Sequence, residues 1–412
     1  MMMKRFMLGV LSAGLCWVGL GSPVPENNAY RHMPVKASES EPAVRAADDR
    51  FSASVIRFSD RLLKQCAAES ADKNLVLSPL SVIYALTLCS NGASGETLAE
   101  FEELNGIPVS EMNEYLFTYA QKLAETENST VRTANSLWGN KNFFRIAEDF
   151  RTVSEKYYAA ESDSLNFNDP ASMDRINGWV SEKTDGMIPQ ALDELDPAAV
   201  LLILNTVLFD GVWQNPYEER EINESVFYSA DGTEDLTEFM YSTEHSYFEV
   251  DGGVGFSKAY KDGYTFTAVL PDGDPCEFIA NADLAEVVSA ALAGTGKVEV
   301  SIPKFEYENK IGLTEILRKM GLERAFSNRA ELYGLSENGA PLYIDQILQK
   351  AKIITNEHGT KAAAMTEISV RMMAFRPTEK KEIHLNRPFF YMILDTETGI
   401  PLFTGAVYDL GE

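Results

Sequence analysis

The 412-residue sequence predicts an α+β fold, on three observations. Helical stripes and strand-like runs follow one another without the regular alternation that a parallel α/β sheet requires. Two strand runs, VLLILNTVLF (200–209) and FFYMIL (389–394), are almost wholly apolar, so both of their faces must be covered. The hydrophobic share is 45% and the aromatic share 10%, which supports a sizeable core and excludes global disorder.

Taken in order, the chain opens with Lys4 and Arg5 before an apolar run from Phe6 to Leu20. That run is too short to span a bilayer and is flanked like a secretory signal, with Gly19 and Gly21 small enough for cleavage near Gly21–Ser22. Residues 1–21 are therefore expected to be removed on export. The product is secreted or extracytoplasmic. The alternative is a lipid anchor at the cell surface through Cys16, for which the preceding Leu15 is bulky. Residues 22–47, rich in Pro, Ser, Ala, Glu and Asn without periodicity, read as a flexible linker. From Asp48 the composition is globular to the end, without a second linker or repeat, so 48–412 is expected to be one domain.

Within that domain Ser78-Pro79 starts a helix with Val82, Ala85, Leu86 and Cys89 at helical spacing, ending near Gly92. Asp174 to Lys183 carries Ile176, Trp179 and Val180 on one face, and Leu313, Ile316, Leu317 and Met320 form a stripe stopped by Gly321. TFTAVL (265–270) and KVEVSIP (297–303) add further strands.

Several function classes fall away. Sixty-two acidic residues against 36 basic ones give a formal charge of −26, which repels phosphate backbones and anionic lipid, so no nucleic-acid partner is expected. Losing residues 1–21 removes two cations and no acid, taking −26 to −28. It also leaves Cys66, Cys89 and Cys276, an odd set without C-x-x-C spacing, read as structural thiols. His32, His245, His358 and His384 fit no zinc or triad spacing, and no nucleophile elbow or phosphate loop is present. No metal, cofactor or catalytic residue is expected. The glycines at 252–255 read as a turn, and Asn128 and Asn223 as glycosylation acceptors if the source glycosylates.

Residues 356–375, NEHGTKAAAMTEISVRMMAF, are unusual. Thr360, Ala362, Ala364, Thr366, Ile368, Val370 and Met372 are all apolar or threonine, while the intervening residues carry every charge from 360 to 373. That is a strand pattern with one face for a core and one for water. The Lys-Ala-Ala-Ala-Met run would also favour a helix, but a helix does not sort charges onto alternate residues.

EHGTKAAAMT (357–366) resembles the reactive-loop hinge of the serpins. NLVLSPLSVIYAL (74–86), INGWVSEKTDGMI (176–188), LNTVLFDGVWQNPY (204–217), IPKFEYE (302–308), ELYGLSENGAPLYI (331–344), NRPFFYMILD (386–395) and PLFTGAV (401–407) resemble further serpin segments in family order. Each is weak alone; eight in register over 50–412 are strong. The sequence departs from the family in Gln349, where a histidine is usual, and in lacking the usual proline after the last strand. An amide still offers a donor and an acceptor, so the polar centre is expected to work with altered contacts.

The resemblance implies three β-sheets, about eight or nine helices and an exposed reactive-centre loop at about 357–377. It implies a monomer that acts as a suicide inhibitor of serine, or alternatively cysteine, endopeptidases. After cleavage the loop inserts into the main sheet as a strand, a known form of strain release. Glu357, Gly359, Thr360, Ala362, Ala363, Ala364 and Thr366 would form the hinge; Lys304 and Trp213 the breach at the top of the sheet; Ser78, Ser81, Asn205 and Gln349 the shutter at its centre. Thr360 would be the first side chain to pass from solvent into the sheet. Lys304 is expected to pair with Glu357. Counting from Glu357 puts the reactive bond at Met373–Ala374, favouring elastase-, chymotrypsin- or subtilisin-like proteases; Arg371–Met372 is the alternative, for a trypsin-like one. The even-numbered face holds neither proline nor charge, which insertion requires. The alternative function is a non-inhibitory serpin-fold binding or chaperone protein.

Overall fold

A computed structural model describes residues 42–70, 72–124, 126–360 and 381–411. Among them are nine α-helices: α1 Asp49–Glu69, α2 Pro79–Ser90, α3 Gly95–Asn105, α4 Val109–Ala124, α5 Glu148–Tyr158, α6 Pro170–Lys183, α7 Pro275–Asn281, α8 Leu284–Ala293 and α9 Thr314–Lys319. The strands are β1 Leu75–Leu77, β2 Ser129–Asn140, β3 Glu161–Leu165, β4 Leu201–Val212, β5 Ile222–Tyr228, β6 Glu234–Glu244, β7 Phe248–Val250 and β8 Gly253–Ala259. They continue with β9 Tyr264–Pro271, β10 Val298–Pro303, β11 Phe305–Gly312, β12 Gln346–Asn356, β13 Gly359–Thr360, β14 Lys381–His384, β15 Phe389–Asp395 and β16 Pro401–Val407. Three sheets result: a large one ordered β11-β12-β13-β4-β2-β3, a second ordered β1-β16-β15-β9-β8-β7, and a third ordered β14-β10-β6-β5.

Local sequence explains the elements that frame the large sheet. Ser78 caps α2, its hydroxyl accepting from the Ser81 amide, and Pro79 takes the first helical position, where no amide donor is needed. Every residue of α2 is buried, so this helix lies inside the core and not at its surface. Asp169 and Pro170 start α6 in the same way. The apolar run of β4 is buried on both faces. Leu202 and Leu204 pack with Trp138, Ile176 and Trp179 under α6. Ile203, Val207 and Phe209 join the main core on the other side.

The tail of the expected linker is anchored: the Arg45 backbone amide donates to Thr118 Oγ1 at 2.9 Å, and its side chain reaches Glu114 at 2.9 Å and lies over the Tyr115 ring. A guanidinium can hydrogen-bond a carboxylate and stack on a ring at once, which composition alone does not reveal.

Candidate functional site

The large sheet is closed at its base and open at its head. At the base β12 and β4 pair in parallel, from Gln346 opposite Leu202 to Ala351 opposite Val207. Above Ala351 they part, and β13 lies between them, antiparallel to both. Thr360 stands opposite Thr355 on one side and Gly211 on the other; Gly359 stands opposite Asn356 and Val212. A Cβ at Gly359 would overlap the Gly211 carbonyl oxygen, so only glycine lets the chain come this close.

Thr360 departs from its expected place. It is 1% exposed, already inside the sheet, with Oγ1 2.6 Å from the Tyr260 hydroxyl. The tyrosine satisfies its one polar group, so burial costs little.

Around this seat lies an aromatic and charged cluster. Trp213 is fully buried, stacked on Tyr260 with ring centroids 4.2 Å apart, and its indole N–H donates to the Asn356 carbonyl at 2.9 Å. The Trp213 amide also donates to the His358 carbonyl, and the Tyr217 amide to that of Glu357, both at 2.9 Å. Lys304 Nζ lies 2.8 Å from Glu357 and 2.7 Å from Glu238. Burial works against both partners' charges, but the hydrogen bonds outweigh it, raising the Lys304 ammonium and lowering the Glu357 carboxyl from their ordinary values.

At the centre of the sheet Gln349 is wholly buried. Its Nε2 lies 2.9 Å from the Ser78 carbonyl, Ser81 Oγ and Asn205 Oδ1, and its Oε1 accepts from the Ser78 amide at 3.1 Å. Ser81 Oγ donates to Asn205 Oδ1 at 2.6 Å. One amide thus donates to both the α2 cap and β4 and accepts from the cap alone.

Two further contributors escaped the sequence reading. Asn135 accepts from Asn205 Nδ2 at 2.8 Å and extends the central network to β2. Lys258 is 3% exposed, its ammonium 4.2 Å from the centre of the Tyr217 ring, 5.6 Å from that of Trp213 and 3.0 Å from Glu244. Such a cation is stabilised jointly by ring quadrupoles and its carboxylate. The alternation Phe256, Lys258, Tyr260 was the available signal, since all three share one face.

Ala362, Ala363, Ala364, Thr366, Arg371, Met372, Met373 and Ala374 lie outside the described residues, as do Cys16 and the expected signal. Among the described residues no group of three or more His, Cys, Asp or Glu side chains could hold a metal, and no helix is long and apolar enough to cross a membrane. Burial pushes the Cys66 and Cys89 thiols up to about 12, as suits inert core residues.

Comparison with known proteins gives one answer. The family described as "Serpin (serine protease inhibitor)" matches residues 53–410. Alpha-1-antiproteinase of Mus saxicola is 26% identical over 97% of each chain, and neuroserpin of Gallus gallus 30% identical over 86% of this chain and 90% of its own. The thermophilic serpin tengpin in its native state aligns at 35% identity with a TM-score of 0.83, covering 90% of this chain and 97% of tengpin. Its latent state aligns less well, at a TM-score of 0.77 over 89% of this chain and all of the other. The sheet topology, the hinge segment and the family match over most of its length agree that this chain belongs to the serpin family.

Proposed function

We propose that this serpin is an irreversible, suicide inhibitor of serine endopeptidases, which traps the acyl-enzyme by inserting its cleaved loop between β12 and β4. The observation that carries the reading is the seat of β13: Gly359 and Thr360 of the hinge already occupy the slot. Continuing that register one residue at a time gives each later side chain a neighbour of matching chemistry. Ala362 arrives opposite Phe209 and Ile353, and Ala364 opposite Val207 and Ala351. Thr366 brings a hydroxyl to Asn205 and Gln349, and Ile368 comes between Ile203 and Ile347. Small residues meet crowded positions, a polar one meets the polar centre, and a large apolar one meets the apolar base. This agreement favours insertion over a non-inhibitory role.

The reactive bond is Met373–Ala374, suited to the apolar pockets of elastase-, chymotrypsin- or subtilisin-like proteases. An arm from Thr360 to Met373 spans on the order of 45 Å at about 3.3 Å per residue, enough to carry a bound protease along the sheet. Incubation with a protease panel tests this, read by denaturing gels and by mass spectrometry of the released peptide. A denaturation-stable complex and cleavage after Met373 are expected. Cleavage without complex for every protease would contradict the proposal.

A further inference from the structure

The base of the slot carries a side chain that the ladder itself does not need. Asp345 directly precedes β12, and its Oδ2 accepts from the backbone amides of Val200 at 2.5 Å and Leu201 at 3.0 Å, at the start of β4. Its own amide donates to the Leu201 carbonyl at 3.4 Å. The first rung of the β4–β12 ladder, Gln346 opposite Leu202, lies immediately above. We propose that Asp345 is a positioning residue for strand insertion: its carboxylate staples the base of β12 to the base of β4, and the incoming strand must displace it to reach full depth. This rests on the inhibitory reading above.

Geometry makes displacement unavoidable. From Thr355 to Asp345 along β12, and from Gly211 to Leu201 along β4, the distance is the same ten residues. The residue ten beyond Thr360, Val370, therefore arrives opposite both Asp345 and Leu201. With a strand between them, β12 and β4 stand roughly 9.5 Å apart, two strand spacings, beyond the reach of an aspartate side chain. The inserted backbone can then pair with Leu201, and the carboxylate is released. Its present setting does not favour its charge. Burial raises the carboxyl pKa, the Leu201 and Val200 amides lower it, Asp196 nearby raises it, and the Tyr343 side chain lowers it. Release to water relieves that penalty at the end of the stroke.

The staple predicts an asymmetry between two forms of one protein. In the uncleaved form Asp345→Ala leaves two amides without their acceptor; in the cleaved form those contacts are already gone. Melting temperatures would be measured for wild type, Asp345→Ala and Asp345→Asn, each intact and cleaved once within 367–375. Asp345→Ala is expected to melt lower than wild type when intact, on the order of 3 °C or more, and to match it when cleaved. Asp345→Asn keeps an acceptor and is expected to stay near wild type in both forms. Equal loss in both forms would reduce Asp345 to an ordinary turn residue, and no loss in the intact form would remove the staple; either overturns the proposal. A wild type that gains nothing on cleavage overturns the inhibitory reading and the staple together, and shows in the wild-type pair alone.

Discussion

The head and the base of one strand pair, β4 and β12, are built in opposite ways. At the head they are held apart by Gly359 and Thr360, with Tyr260 and Trp213 stacked beneath and the Lys304–Glu357 pair alongside. At the base they are zipped from Gln346–Leu202 to Ala351–Val207 and closed by Asp345. The difference teaches where a conformational change can start and what it must undo. A strand can lengthen only from the end where its first residues are already paired, and it must replace the contacts at the other end rung by rung.

Cleavage within 367–375 should break this contrast most strongly. The arm is then free to fill the slot, completing two ladders and burying the even-numbered face, and the melting temperature should rise greatly. An unchanged melting temperature after clean cleavage would mean that head and base stay as they are.

Substitutions at the head come next. Thr360→Arg would force a guanidinium against Tyr260 in the uncleaved protein, costing several kcal/mol. It should lower intact stability and convert the inhibitor to a substrate. Ala362→Arg should do only the second, because the proposed insertion would bring that side chain into the sheet only after cleavage. Stoichiometry of inhibition and intact melting temperature, measured together, separate the two; Lys361→Arg, on the solvent-facing phase, should change neither. If Thr360→Arg keeps wild-type stability and inhibition, the seat of β13 has been misread.

The centre joins the two ends. Gln349→Leu would leave buried groups on Ser78, Ser81 and Asn205 short of a partner, at about 2–4 kcal/mol by chemical denaturation of the intact protein. A neutral result would show that the network can close without the amide.

The smallest effect is electrostatic. Glu357 sits below its ordinary value of 4.5, so the stability it contributes is present above that pH and is lost as pH falls through the lower folded value. Glu357→Gln should remove this acid-limb dependence while changing stability at neutral pH by about 0–1 kcal/mol. An acid limb identical to wild type would show that the pair contributes nothing.

Much of this contrast was legible in the sequence because it is local. The Ser78-Pro79 helix start and the apolar β4 run each follow from neighbours a few residues apart. What was not legible depends on register between distant segments. Thr360 is buried because Tyr260, a hundred positions earlier, supplies its hydroxyl partner. Asn135 joins the centre because it stands opposite Asn205 in the β2–β4 ladder. Asp345 looks like one carboxylate among many until β4 is laid beside it.

Hydrogen exchange on the intact and singly cleaved protein tests the central claim most directly. Amides of β4 and β12 that face the slot, in 208–210 and 352–354, lie between the base ladder and β13. Insertion predicts that they exchange measurably while the loop is intact and become strongly protected once it is cut. Equal exchange in the two forms would contradict insertion of the arm as a strand.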